Sequence, residues 1–99
     1  MRLNEQQRQA IVRVVGDTCG PQARVRLFGS RLDDALRGGD IDLLVELPEG
    51  IDDIHDLQRR LYVRLLRALE GRAVDVLVVG PGTPRQPVHE AALREGALL

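Results

Sequence analysis

Segments with a helical spacing of apolar residues alternate with short strand-like runs along this chain of 99 residues. The helical spacing occurs near the N-terminus and again at residues 54–68. The runs at residues 24–29, 41–47 and 73–79 either alternate in polarity or are rich in β-branched residues, as strands are. Because interleaved helices and strands form a sheet covered by helices, the sequence predicts an α/β or α+β fold with a small mixed sheet of about three to four strands.

Capping signals predict where the two longer helices begin and end. Asn4 is followed three residues later by Gln7, which resembles a capping box, so a first helix is expected from there to about Gly16. A second helix is expected to begin after Asp52 or Asp53 and to end just before a glycine at position 71. Its apolar stripe consists of Ile54, Leu57, Leu61, Leu65 and Ala68.

The remaining segments are shorter. Residues 31–37 predict a turn or two of helix, and Pro48 is expected to end the second strand. Residues 86–95 predict a last helix that stops at Gly96, after which residues 97–99 are expected to pack back on the domain.

Length and composition limit the class of protein. With 43% hydrophobic residues, residues 1–99 are expected to form a single domain with one modest core. The net charge of −1 gives no general attraction for a phosphate backbone, so direct binding of nucleic acid is not expected. Cys19 is the only cysteine and the chain has no long apolar stretch, which together favour a soluble, cytoplasmic protein without membrane contact.

Two acidic residues stand at the start of the second predicted strand. Asp40 and Asp42 are one residue apart, so in an extended strand their side chains leave the same face. Neighbouring carboxylates repel each other unless a divalent cation or an arginine lies between them, or unless one of them is protonated. The pair is therefore a candidate metal site, and ordinary turn chemistry at a strand end is the alternative.

A third acidic residue, Asp75, interrupts the apolar run of the third predicted strand. A buried and unpaired charge would cost several kcal/mol, so Asp75 is expected to have a partner. If the third strand lies beside the second, Asp75 joins Asp40 and Asp42 on one face and completes an oxygen ligand set for Mg²⁺. The alternatives are a hydrogen bond to the nearby backbone or an ion pair with Arg24 or Arg26.

Gly29 and Ser30 lie between the first predicted strand and the short helix. A glycine lets the backbone approach a ligand closely, and backbone N–H groups together with the Ser30 hydroxyl are suited to phosphate oxygens. A plain turn with Ser30 as the helix N-cap is the alternative. Five other residues are interpreted as structural or exposed rather than chemical: Cys19, Phe28, His55, Tyr62 and His89.

The three motifs together are more specific than any one of them. They are Leu-Phe-Gly-Ser-Arg at residues 27–31, Gly-Gly-Asp-Ile-Asp-Leu at residues 38–43 and Val-Asp-Val at residues 74–76. This pattern resembles the nucleotidyltransferase superfamily that includes DNA polymerase beta, and within it the minimal nucleotidyltransferases of bacteria and archaea. The resemblance covers nearly the whole chain and implies the polymerase-beta-type nucleotidyltransferase fold.

The resemblance also implies roles for individual residues. Gly29 and Ser30 would hold the triphosphate of the nucleotide, and Arg31 would either contact a phosphate or lie at the surface. Asp40 and Asp42 would bind two magnesium ions, and the carboxylate at position 75 would complete the metal site and help to activate the attacking hydroxyl.

The function implied by the resemblance is magnesium-dependent transfer of a nucleoside monophosphate, AMP from ATP, to a hydroxyl. Minimal nucleotidyltransferases are typically paired with a small helical HEPN protein, and several act as antitoxins by adenylylating a tyrosine of that partner. The alternative is an antitoxin or assembly subunit that binds without catalysis, and an aminoglycoside-type enzyme ranks lower because a second domain is lacking. The chain departs from many members at residues 32–34, Leu-Asp-Asp, and at Gly39.

Overall fold

The computed structural model describes residues 3–29 and 41–99. Within these residues, three helices and four strands follow one another along the chain: α1 (Glu5–Cys19), β1 (Arg24–Phe28), β2 (Ile41–Glu46), α2 (Ile54–Ala68), β3 (Val74–Val79), α3 (Pro87–Glu95) and β4 (Ala97–Leu98). The predicted α/β class and the mixed sheet are confirmed. The short helix predicted at residues 31–37 and the departure at residues 32–34 and 39 lie outside the described residues.

Helix α1 begins where the capping signal predicts. The Asn4 side chain accepts a hydrogen bond from the Gln7 N–H at 2.7 Å, and the Gln7 side chain accepts one from the Asn4 N–H at 3.1 Å. The helix continues past Gly16 to Cys19, and Gly20, whose φ is 99°, is its C-cap. A single glycine inside a helix costs only about 1 kcal/mol, and the packing of Cys19 against the core favours the additional turn.

Helix α2 also agrees with its capping signals. The Asp53 side chain accepts a hydrogen bond from the Asp56 N–H at 2.9 Å and so occupies the N-cap position. At the other end, Gly71 has a φ of 82°, and its N–H donates to the Leu66 carbonyl at 2.8 Å. The side chains at 57, 61 and 65 are buried, as the apolar stripe predicts.

The four strands form one sheet in the order β3-β2-β1-β4. Strand β1 is antiparallel to β2, and β2 is parallel to β3. The two-residue strand β4 is antiparallel to β1, and the Leu99 N–H donates to the Val25 carbonyl at 2.9 Å. The tail therefore packs back on the domain as predicted. It does so as a strand, which the sequence pattern could not indicate because the strand has only two residues.

The two faces of the sheet have different coverings. Helices α1 and α2 cover one face with the larger apolar core, to which the strands contribute Val25, Leu27, Ile41, Leu43, Val45, Val74, Val76 and Val78. Helix α3 covers part of the other face with a smaller cluster, in which Leu44, Val79 and Ala92 are buried. Among the described residues, none of the helices is both long and apolar enough to cross a bilayer.

Replacement of Leu61 by alanine tests the larger core. Leu61 is completely buried, whereas Val63 on the same helix is 41% exposed. We expect Leu61→Ala to lower the free energy of unfolding by about 2–5 kcal/mol because it leaves a cavity. Val63→Ala is the matched control and should change it by less than about 1 kcal/mol. Urea denaturation measures both, and equal losses would contradict this account of the core.

Candidate active site

Two of the three predicted acidic residues lie side by side in the sheet. Asp42 is the second residue of β2, Asp75 is the second residue of β3, and the parallel register pairs them directly. Directly paired residues of neighbouring strands lie about 5 Å apart and point to the same face. The pairing therefore brings the two carboxylates together at the N-terminal end of both strands.

Gly29, which directly follows β1, lies against the Asp42 carboxylate. Strand β1 is antiparallel to β2, and Phe28 pairs with Asp42, so β1 delivers Gly29 to this end of the sheet. The φ of Gly29 is 77°, in the left-handed region that favours glycine. A Cβ atom at this position would overlap the Asp42 carboxylate and would lie only 3.2 Å from its Cγ atom. The absence of a side chain at position 29 thus makes room for Asp42.

The prediction that Asp75 is buried in its apolar strand is wrong. Asp75 is exposed, while its neighbours Val74 and Val76 are buried. Position 75 belongs to the face opposite α1 and α2, and α3 covers that face only farther along the strand. The register with Asp42, and not a burial cost, is what connects Asp75 to the site.

The order of the strands argues against an ion pair between Asp75 and either Arg24 or Arg26. Strand β2 separates β1, which carries Arg24 and Arg26, from β3. The Arg26 Nε atom lies 3.5 Å from Glu46 Oε1, at the other end of β2. Within residues 3–29 and 41–99, no ion pair joins Asp75 to either arginine.

The other three predicted site residues, Ser30, Arg31 and Asp40, lie outside the described residues. Within the described part of the chain, no group of three acidic, histidine or cysteine side chains is arranged to hold a metal ion. The described site consists of Gly29, Asp42 and Asp75.

The chemistry of the donor set fits a hard divalent cation. Carboxylate oxygens are the ligands that Mg²⁺ prefers, and Mg²⁺ is usually held by one or two carboxylates together with substrate phosphates. Asp42 and Asp75 supply two such carboxylates from one end of the sheet, and Asp42 is half-buried while Asp75 is exposed.

The comparison with known families agrees with this geometry. The family described as a nucleotidyltransferase domain matches residues 9–97, and the chain belongs to this family. The match begins within α1 and ends at the first residue of β4, and the four-stranded mixed sheet is consistent with the polymerase-beta-type fold of that class. No curated protein and no solved structure gave a significant match.

The structure also brings together residues that were interpreted separately in the sequence. His55 and His89 both line a cavity of about 570 Å³ at the opposite end of β3 from the carboxylates. The Nδ1 atom of His89 accepts a hydrogen bond from the Gln86 N–H at 3.0 Å, which is a structural role in capping α3. Tyr62, predicted to be a packing residue, is 43% exposed and lines a smaller groove next to Asp75. The spacing of residues along α2 could not show that Tyr62 lies near Asp75, because Asp75 belongs to a different element, β3.

Replacement of Gly29 by alanine tests its contact with Asp42. The new methyl group must displace the carboxylate, so we expect Mn²⁺, used as a probe for the predicted magnesium site, to bind about tenfold more weakly, as for other residues that position metal ligands. Gly71→Ala is the matched control, because Gly71 has a similar φ of 82° but nothing within 4 Å of an added Cβ atom. Calorimetric titration of both variants measures the difference, and an equal loss in the two would contradict the proposed contact.

The reactivity of Cys19 tests the interpretation of this residue as a packed side chain and not as a nucleophile. Burial raises the pKa of the Cys19 thiol above its ordinary value, and the charge of Arg60 offsets this only in part. The reactive thiolate is therefore scarcer in the folded protein than in the unfolded chain. We expect iodoacetamide to modify the folded protein more slowly than the urea-unfolded protein near neutral pH, and faster modification of the folded form would contradict this interpretation.

Proposed function

We propose that the chain is a magnesium-dependent nucleotidyltransferase that moves AMP from ATP to a hydroxyl group of a partner protein. The observation that carries the proposal is the direct pairing of Asp42 with Asp75 beside Gly29 in a chain of the nucleotidyltransferase family. The proposed partner is a helical HEPN protein, the acceptor is one of its tyrosines, and the pair would act as antitoxin and toxin.

The reaction requires one bond to form and one to break. The oxygen of the acceptor hydroxyl bonds to the α-phosphorus of ATP, the bond from that phosphorus to the bridging oxygen of the β-phosphate breaks, and pyrophosphate leaves. The hydroxyl proton needs an acceptor, for which an exposed carboxylate beside the reacting groups is suited. We assign this role to Asp75, because it is exposed at the outer side of the pair.

The remaining site residues bind and orient the nucleotide. The backbone at Gly29 can approach the triphosphate closely because no side chain intervenes. Ser30 and Arg31, which follow it in sequence, are proposed to contact phosphate oxygens. Asp40 and Asp42, with Asp75, are proposed to hold Mg²⁺, which when bound would neutralise the triphosphate and the leaving pyrophosphate.

The Asp42→Asn and Asp75→Asn variants test the proposal. Asparagine keeps the size of the side chain but removes a charge that binds metal, so we expect pyrophosphate release in the presence of ATP, Mg²⁺ and the partner to fall by about a hundredfold or more. Asp52→Asn is the matched control, since Asp52 is exposed in the loop before α2 and is not its N-cap. Its rate should equal that of the unmodified protein.

The same variants distinguish catalysis from binding alone. If Asp42→Asn neutralises the toxic partner as well as the unmodified protein does, the antitoxin acts by binding and the catalytic proposal is wrong. If neutralisation and labelling of the partner tyrosine are lost together while the complex still forms, catalysis is required for the function.

A further inference from the structure

Within the described part of the chain, no strand pairs with the outer edge of β3, which lies next to the candidate active site. The hydrogen bonds from the Ile41 N–H to the Ala73 carbonyl and from the Leu47 N–H to the Val79 carbonyl fix which backbone groups of β3 face β2. In a parallel ladder, the alternate residues, Val74, Val76 and Val78, must direct their N–H and C=O groups away from the sheet. Such an edge is a template for another strand.

Only the far end of this edge is closed by the described part of the chain. The Gln58 side chain of α2 accepts a hydrogen bond from the Val78 N–H at 3.2 Å. Nearer the carboxylates, a groove of about 310 Å³ lies between α2 and β3. The groove is lined by His55, Gln58, Arg59, Tyr62, Asp75 and Val76. Asp75 therefore belongs both to the carboxylate pair and to the groove.

We propose that the acceptor hydroxyl is presented by an extended polypeptide segment that pairs with the outer edge of β3 through the backbone of Val76. This inference rests on the proposed nucleotidyltransferase function and specifies that the acceptor tyrosine lies in an extended segment of the partner, outside its helices. Affinity comes from backbone hydrogen bonds, as in other proteins that add a peptide strand to a sheet edge.

The geometry of strand pairing puts the acceptor in the right place. A residue paired with Asp75 on a neighbouring strand directs its side chain to the same face, with the Cβ atoms about 5 Å apart. Asp42 is the residue paired with Asp75 on the inner neighbouring strand, β2. The peptide would supply the residue paired with Asp75 on the outer side. A hydroxyl side chain at that residue reaches the Asp75 carboxylate and, beyond it, the nucleotide site.

Charge favours a partner peptide over a second copy of this chain or a nucleic acid. Pairing of β3 with β3 of a second copy would bring a second Asp75 to the same edge, and like charges on neighbouring strands are destabilising. A polynucleotide acceptor would bring its phosphates next to Asp75, to a chain whose net charge is −1. A polypeptide backbone is neutral and matches the hydrogen-bonding groups of the edge. The exposed Tyr62 and the stem of Arg59 offer contacts for its side chains.

The test uses a randomised decapeptide library with a fixed central tyrosine, selected for binding to the whole protein without ATP. Each selected peptide is then N-methylated at one residue at a time, and binding is measured by fluorescence polarisation. We expect methylation to weaken binding about tenfold at the two residues whose N–H groups face the carbonyls of Val74 and Val76, and to have little effect at the residue between them. The intervening residue serves as the matched control.

A protein variant tests the same contact from the other side. Val76→Pro removes an N–H that does not take part in the ladder with β2, and proline is tolerated at such edge positions. We expect it to weaken peptide binding about tenfold. Thermal unfolding shows whether the Val76→Pro variant is folded. If it is not, the N-methylated peptides still test strand pairing with the unmodified protein.

The outcomes separate this inference from the proposed function. An alternating effect of N-methylation supports strand pairing, even if no AMP is transferred and the proposed function fails. The absence of any binding peptide, or an effect of methylation without alternation, overturns strand pairing. If pyrophosphate is nevertheless released with glycerol as the acceptor, nucleotidyl transfer stands and the acceptor reaches Asp75 by another route.

Discussion

The parallel pairing of β2 with β3 is the constraint on which the rest of the site depends. It places Asp42 and Asp75 directly beside each other, in the second position of each strand. A shift of the register by one residue would turn one of the two carboxylates to the face that α1 and α2 cover. The large apolar core on that face therefore fixes the register, because the valines on both sides of Asp75 must be buried there.

The second face of the sheet carries both the smaller apolar cluster and the two carboxylates. Helix α3 covers part of this face, over a cluster that includes Leu44 and Val79. On the same face, Asp42 is half-buried and Asp75 is exposed. The antiparallel strand β1 leads to Gly29, where the absence of a Cβ atom leaves room for Asp42. The larger apolar core and the candidate chemistry therefore lie on opposite faces of one sheet.

Much of the fold could be predicted from the sequence because its signals are local. The capping box at Asn4, the N-cap at Asp53 and the apolar stripe of α2 each depend on residues within one helix, and each prediction is confirmed. The exposure of Asp75 was not predicted, because an apolar strand does not reveal which of its two faces a helix covers. The groove between Tyr62 and Asp75 also depends on contacts between distant elements. The role of the predicted site residues Ser30, Arg31 and Asp40 stays a prediction, since they lie outside the described residues.

The most direct test of the account follows the two ends of the triphosphate separately. Protein, Mg²⁺ and the helical partner are incubated with ATP that is radiolabelled either at the α-phosphate or at the γ-phosphate. The account predicts that the α-label is transferred to the partner and the γ-label leaves as pyrophosphate. Transfer of the γ-label to the partner would show phosphoryl transfer and would contradict the account, as would release of pyrophosphate that does not depend on Asp42 and Asp75.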